Sequence, residues 1–206
     1  MKLITALLIS LAFYGCRQES PSVMVVIEVP EVKEVPNIAW SETEVFLDRS
    51  NNTWFLKNDS SLISGYVKQY DVAGKVFRST GFVDGKMEGV QLTYFPDGRL
   101  RFAETYLANK LHGTVKRWSM ESGYQLVALL QYNGGRPHGE QMKWYTTGEL
   151  HKRLNLESGQ EVGLQQAFRK NGALYANYEA RNGRVFGIKR ANLCYELDNE
   201  QVVFNQ

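Results

Sequence analysis

The sequence predicts an all-β protein: an elongated antiparallel meander of stacked β-hairpin repeats, each of about 24 residues. Three registers predict it. Glycines stand at Gly65, Gly89, Gly113, Gly139, Gly163 and Gly187, so the spacings are 24, 24, 26, 24 and 24. Five residues after each of the first five comes an aromatic: Tyr70, Tyr94, Trp118, Trp144 and Phe168. Four residues before each next glycine stands Gly85, Asn109, Gly135, Gly159 or Gly183. A further glycine falls inside each unit, at 74, 98, 123, 148 and 172. Registers that recur together at one period mark a repeat protein, and the repeat sets the fold before any local reading does.

Each unit carries two turn signals about half a unit apart. The inner ones include Pro96-Asp97-Gly98 and Lys170-Asn171-Gly172, and the outer ones include Asp84-Gly85-Lys86 and Asn182-Gly183-Arg184. Glycine and asparagine accept positive φ cheaply, which is what hairpin turns demand. Between turns, Gly89-Val90-Gln91-Leu92-Thr93-Tyr94 alternates apolar and polar, the pattern of a half-exposed strand. The alternation puts Val90, Leu92 and Tyr94 on one side, and the matching aromatic of every repeat falls with them. That column reads first as a packing ladder holding hairpins in register, and second as a stacking platform for a ligand.

The pattern glycine, four residues, aromatic, three residues, glycine, followed by Asn/Asp-Gly-Lys/Arg, resembles the MORN-repeat variant of bacterial proteins. Lys110-Leu111-His112-Gly113 and Arg136-Pro137-His138-Gly139 carry the resemblance most closely, and it covers about residues 54 to 196. Glu88, Val162 and Phe186 stand where the family has histidine, and the third repeat holds two extra residues within Ser122 to Leu130. The resemblance implies a repeat scaffold first, and an antitoxin-like or membrane-binding role second.

Taken in order, residues 1–15 read as an export signal, with Lys2 followed by a short, mostly apolar run. Gly15-Cys16 resembles a bacterial lipobox, with Cys16 the lipidated residue and a membrane anchor the consequence. Each buried methylene of an acyl chain contributes about 0.8 kcal/mol, so two or three chains hold durably. Residues 16–45, punctuated by Pro21, Pro30 and Pro36, read as a flexible tether able to form at most short edge strands. Residues 46–64 read as a capping hairpin around Asp48 to Asn52, residues 65–187 as five repeats, and 188–206 as a closing strand and tail.

Composition bounds the function. The 24 basic and 22 acidic residues nearly balance, which argues against a nucleic-acid surface. Arg99, Arg101, Lys110, Lys116 and Arg117 cluster, but Glu104 and Glu121 interrupt them, so a solvated sheet face is expected there. His112 and His138 share the register before the opening glycine and read as repeat residues rather than metal ligands. With Cys16 acylated, Cys194 has no internal partner for a disulfide. No nucleophile motif, phosphate loop or shared-register carboxylate pair stands out. The expectation is therefore a non-enzymatic, cofactor-free envelope lipoprotein that binds a protein partner. Toxin neutralisation and carbohydrate binding through the aromatic column are the alternatives.

Overall fold

The computed structural model describes residues 32–188 and the backbone of two further short strands at 196–198 and 201–203. The elements run β1 (Ala39–Ser41), one 3-10 turn (Glu42–Glu44), β2 (Val45–Asp48), β3 (Thr53–Leu56), β4 (Gly65–Tyr70) and β5 (Val76–Val83). There follow β6 (Lys86–Met87), β7 (Gly89–Tyr94), β8 (Leu100–Leu107), β9 (Lys110–Ser119), β10 (Gln125–Asn133) and β11 (Arg136–Pro137). Then come β12 (Gly139–Trp144), β13 (Leu150–Glu157), β14 (Gln160–Glu161), β15 (Gly163–Phe168), β16 (Leu174–Arg181) and β17 (Arg184–Ile188). Fifteen strands form one sheet in the order β1-β4-β5-β7-β8-β9-β10-β12-β13-β15-β16-β17, with β6, β11 and β14 paired alongside. Every pairing is antiparallel except that of β1 with β4, so this is the long meander of hairpins the period predicts. The strand that closes the meander is β17; 189–195 lie outside the described residues, and β18 (Glu196–Asp198) with β19 (Gln201–Val203) forms a separate ribbon.

Turn chemistry explains the hairpins. At all five outer turns both central residues have positive φ: 50° and 74° at Asp84-Gly85, 51° and 71° at Asn182-Gly183. That is the requirement of a type I′ turn, whose twist matches that of the strands it joins. The inner turns are looser. The Gly98 amide donates to the Phe95 carbonyl at 2.9 Å, and the Asp97 carboxylate accepts from the Arg99 amide at 3.0 Å.

Two kinds of bulge recur along the sheet, one inside each hairpin and one between successive hairpins as far as β15, while β16 and β17 pair without a break. Within each hairpin one residue is extra, just beyond the aromatic: Thr93 pairs with Phe102 and Tyr94 with Leu100, leaving Arg101 over. Phe77, Val127, His151 and Tyr175 are its counterparts. Between hairpins the opening glycine marks a larger bulge. Ser79 pairs with Leu92 and Phe82 with Met87, so Val90, Gln91, Glu88 and Gly89 face only Thr80 and Gly81. Gly89, at φ 73°, supplies the left-handed residue this detour needs. In the third repeat Trp118 pairs with Leu126, so the two extra residues lie before Leu126 and lengthen the hairpin tip.

The faces are unequal, and the better buried one is not the aromatic one. Val67, Val115, Gln141 and Gln165, two residues after their opening glycines, are all buried. Val90 and Leu164, one residue after, are exposed. The packing core thus lies on the face opposite Tyr94 and Leu92, a choice that the aromatic positions alone leave open. We call the buried side the inner face and the aromatic side the outer.

The capping hairpin, β2 with β3, covers a face rather than extending the stack. Val45 and Leu56 join Ile63, Val67 and Phe82 in one buried cluster, with Trp40, Trp54 and Met87 against it. The Trp54 and Phe82 rings lie 5.5 Å apart. The end of the expected tether is also seated on the sheet. β1 pairs with β4, the Tyr66 amide donates to the Ile38 carbonyl at 2.6 Å, and the Lys33 amide donates to Glu88 at 3.0 Å. Gly81 and Gly89 make this possible, since Val35 occupies the space beside them. Cys16 lies outside the described residues.

Candidate functional site

Each hairpin presents one aromatic on the outer face, and the in-hairpin bulge decides what lies opposite it. Tyr70 pairs with Val76, Tyr94 with Leu100, Trp118 with Leu126, Trp144 with Leu150 and Phe168 with Leu174. All five predicted aromatics therefore have an aliphatic cross-strand partner, a pairing that stabilises a sheet by about 0.2–1 kcal/mol per pair. The aliphatic member was not singled out in the sequence, although Val76, Leu100, Leu126, Leu150 and Leu174 repeat at the same period. Tyr70 and Leu174 are exposed and the other ladder residues half-buried, so the ladder is an open apolar stripe. The next row on this face is mixed: Leu92, Ala103, Leu129 and Met142 share it with Ser79, Lys116, Arg153 and Gln166. The longer third hairpin folds Tyr124 against Trp118, with ring planes 7° apart and centroids at 6.3 Å. The Tyr124 hydroxyl donates to the Leu100 carbonyl at 2.9 Å, tying the third repeat to the second.

The inner face carries a second row, set by both bulges. Its members pair in unbroken sequence: Gln69 with Arg78, Arg78 with Thr93, Thr93 with Phe102, and Phe102 with Arg117. It continues through Ala128, Lys143, Lys152, Ala167 and Ala176. Four positions are cationic and none is acidic. Thr93, Ala128, Ala167 and Ala176 are each at most 7% exposed and form a recessed floor. The Arg101 and Arg117 guanidinium carbons lie 5.1 and 5.7 Å from the Phe102 centroid, favourable cation–π geometry.

In three repeats the residue before the opening glycine has a backbone task. His112 Nδ1 accepts from the Gly134 amide at 3.5 Å, and His138 Nδ1 accepts from the Ser158 amide at 3.4 Å. Glu88 does the same for Ala108 at 2.9 Å. In these three repeats an acceptor reaches the next outer turn, so glutamate can stand in for histidine, whereas Val162 and Phe186 hold the same register without one. Among the described residues no three His, Cys, Asp or Glu side chains come together as metal ligands.

His151, the bulge residue of the fourth hairpin, stacks on Tyr145 with centroids 4.4 Å apart. Burial, then the charges of Lys152 and Lys143, push its pKa below the ordinary 6.5. The unfolded chain therefore binds this proton more readily than the folded one. Stability contributed by neutral His151 is complete above about pH 6.5 and is lost as pH falls through the lower folded value. Wild type should lose urea resistance on acidification below that point, and His151→Gln should lose less. Identical slopes in the two proteins would refute the assignment. Tyr178 is shifted the other way: burial and its 2.8 Å bond to Glu161 push its hydroxyl up to about 12.

Comparison with known protein families and with characterised proteins finds no match to this chain. The function is therefore argued from the two faces themselves.

Proposed function

We propose that this protein is a non-enzymatic binding scaffold, held at the cell envelope by a lipid on Cys16 and engaging a protein partner through its outer face. The observation that carries this reading is the aromatic–aliphatic ladder, which spans five hairpins and stays open to solvent along an apolar row. A contiguous apolar stripe of this kind marks an interaction surface, and aromatics supply large contact area at low entropic cost. A partner that is a toxin would make the protein antitoxin-like, but nothing in the ladder selects toxins over other proteins.

Two measurements test the proposal. Cys16→Ala should move the protein from the membrane fraction to the soluble one; a variant that stays with the membrane refutes lipid anchoring. A photo-crosslinking residue placed at Tyr94, Trp118 or Trp144 should yield one discrete adduct in cells, whereas the same residue at Ser158, on an outer turn, should yield none. Equal adducts from ladder and turn positions would count against the outer face as the binding surface.

A further inference from the structure

We propose that the cationic row of the inner face is a trough for an extended acidic polypeptide segment. The inference shares with the scaffold reading only the idea that the sheet binds protein; it uses the opposite face and different residues. Arg78, Arg117, Lys143 and Lys152 stand in one continuous cross-strand row that has no acidic member. None of the four makes an ion pair among the described residues. Lys143 and Lys152 are direct cross-strand partners, and like charges placed so weaken a sheet. The fold gains nothing from that arrangement, whereas an anion laid along the row would relieve it. Arg78 adds a donor, since its buried Nε has no hydrogen-bond partner.

Shape narrows the ligand. The floor between the cations is recessed, and hollows of about 210 and 280 Å³ lie at the Arg78 and Lys152 ends, the latter also lined by Glu161, whose carboxylate accepts from the Tyr178 hydroxyl. A thin chain can lie in such a strip, while a flat bilayer surface cannot reach its floor. Nucleobases need free ring faces to stack on, and Arg101 and Arg117 already approach Phe102.

Spacing narrows it further. From Arg78 to Arg117 is three strand steps, and from Arg117 to Lys152 three more. At ~4.8 Å per step each interval is about 14 Å, and four residues of extended chain also span about 14 Å. Because side chains alternate sides along an extended chain, carboxylates at every fourth residue all point the same way. Such a peptide, lying across the strands, matches Arg78, Arg117 and Lys152 in succession.

The test uses the full-length protein at low ionic strength and two labelled peptides of identical composition. One carries glutamate at every fourth position and the other at every third, which sends alternate carboxylates to opposite sides. The first should bind, and the second should bind roughly tenfold more weakly, the loss expected when half the charge pairs cannot form. Arg117→Gln combined with Lys152→Gln should weaken binding at least as much, and added salt should weaken it progressively. Lys152→Gln alone should raise the thermal midpoint, because it removes the repulsion from Lys143, so lost binding cannot be ascribed to unfolding. Trp144→Ala should leave peptide binding unchanged, which keeps this proposal separable from the outer-face reading. Equal affinity for the two peptides would overturn it. So would tighter binding of inorganic polyphosphate or of phosphatidylglycerol vesicles than of the peptide, or a thermal midpoint lowered by Lys152→Gln.

Discussion

Gly85→Ala lowers stability by about 2–5 kcal/mol, whereas Gly159→Ala, at the equivalent outer turn three repeats later, costs about 1–2 kcal/mol. Both glycines have positive φ, 74° and 89°, so both substitutions carry the strain of a left-handed alanine. Only Gly85 is crowded as well. A Cβ there would come within 2.6 Å of Thr53 Cγ2 and 2.7 Å of the Trp54 carbonyl, while at Gly159 nothing lies within 4 Å. The Gly85 carbonyl also accepts from the Trp54 amide at 2.8 Å, and its own amide donates to the Ile63 carbonyl at 2.8 Å. The added methyl therefore pushes β3 off the sheet and opens the cluster of Val45, Leu56, Ile63, Val67 and Phe82. Urea unfolding of the two variants checks this. Equal losses would mean that the hairpin is not seated on the first outer turn.

The second large effect is expected at Gln165, whose side chain is fully buried. Its Nε2 donates to the carbonyls of Asn155 and Val162, both at 2.8 Å, and its Oε1 accepts from the Asn155 amide at 3.1 Å. The amide thus bridges the bulge between β13 and β15, where the backbone ladder is interrupted. Gln165→Leu keeps the volume and leaves these groups unpaired, a loss of about 2–4 kcal/mol. Gln165→Glu sets a carboxylate against two carbonyls, which raises its folded pKa above the unfolded value of about 4.3. That variant should therefore gain stability as pH is lowered from 7 towards 4.3, the reverse of the His151 trend. Wild-type stability in the leucine variant would show that the bulge does not depend on this bridge. Val115 occupies the same register in the third hairpin without an amide, and there Thr105 Oγ1 donates to the Thr114 carbonyl at 3.1 Å.

These two sites show where sequence reasoning stops. Gly85 was legible as a turn glycine, because positive φ is a local demand. Its second role, as the seat of Trp54, depends on a hairpin some thirty residues earlier in the chain and has no local signal. Gln165 follows its opening glycine by two, as do Gln91 and Gln141, so a periodic signal existed. It looked like the polar half of an alternating strand, and polar residues in such a strand are ordinarily assigned to solvent. Here the polar side is the buried one, since the bulge exposes carbonyls that an amide must satisfy.

The sequence alone determined the period, the positions of the turns, the antiparallel hairpin architecture and the shared side of Tyr70, Tyr94, Trp118, Trp144 and Phe168. Each follows from local physics: turn φ values and period-two alternation are fixed within a few residues. Only the tertiary structure decided which face is buried, that residues 33–56 dock against the first repeats, and that Arg78, Arg117, Lys143 and Lys152 share a row. Outside the longer third hairpin, members of that row are separated by alternating offsets of 15 and 9 residues along the chain. Those offsets are set by where the bulges fall, and bulges form only when neighbouring strands pair, so no single repeat contains the information that aligns the charges.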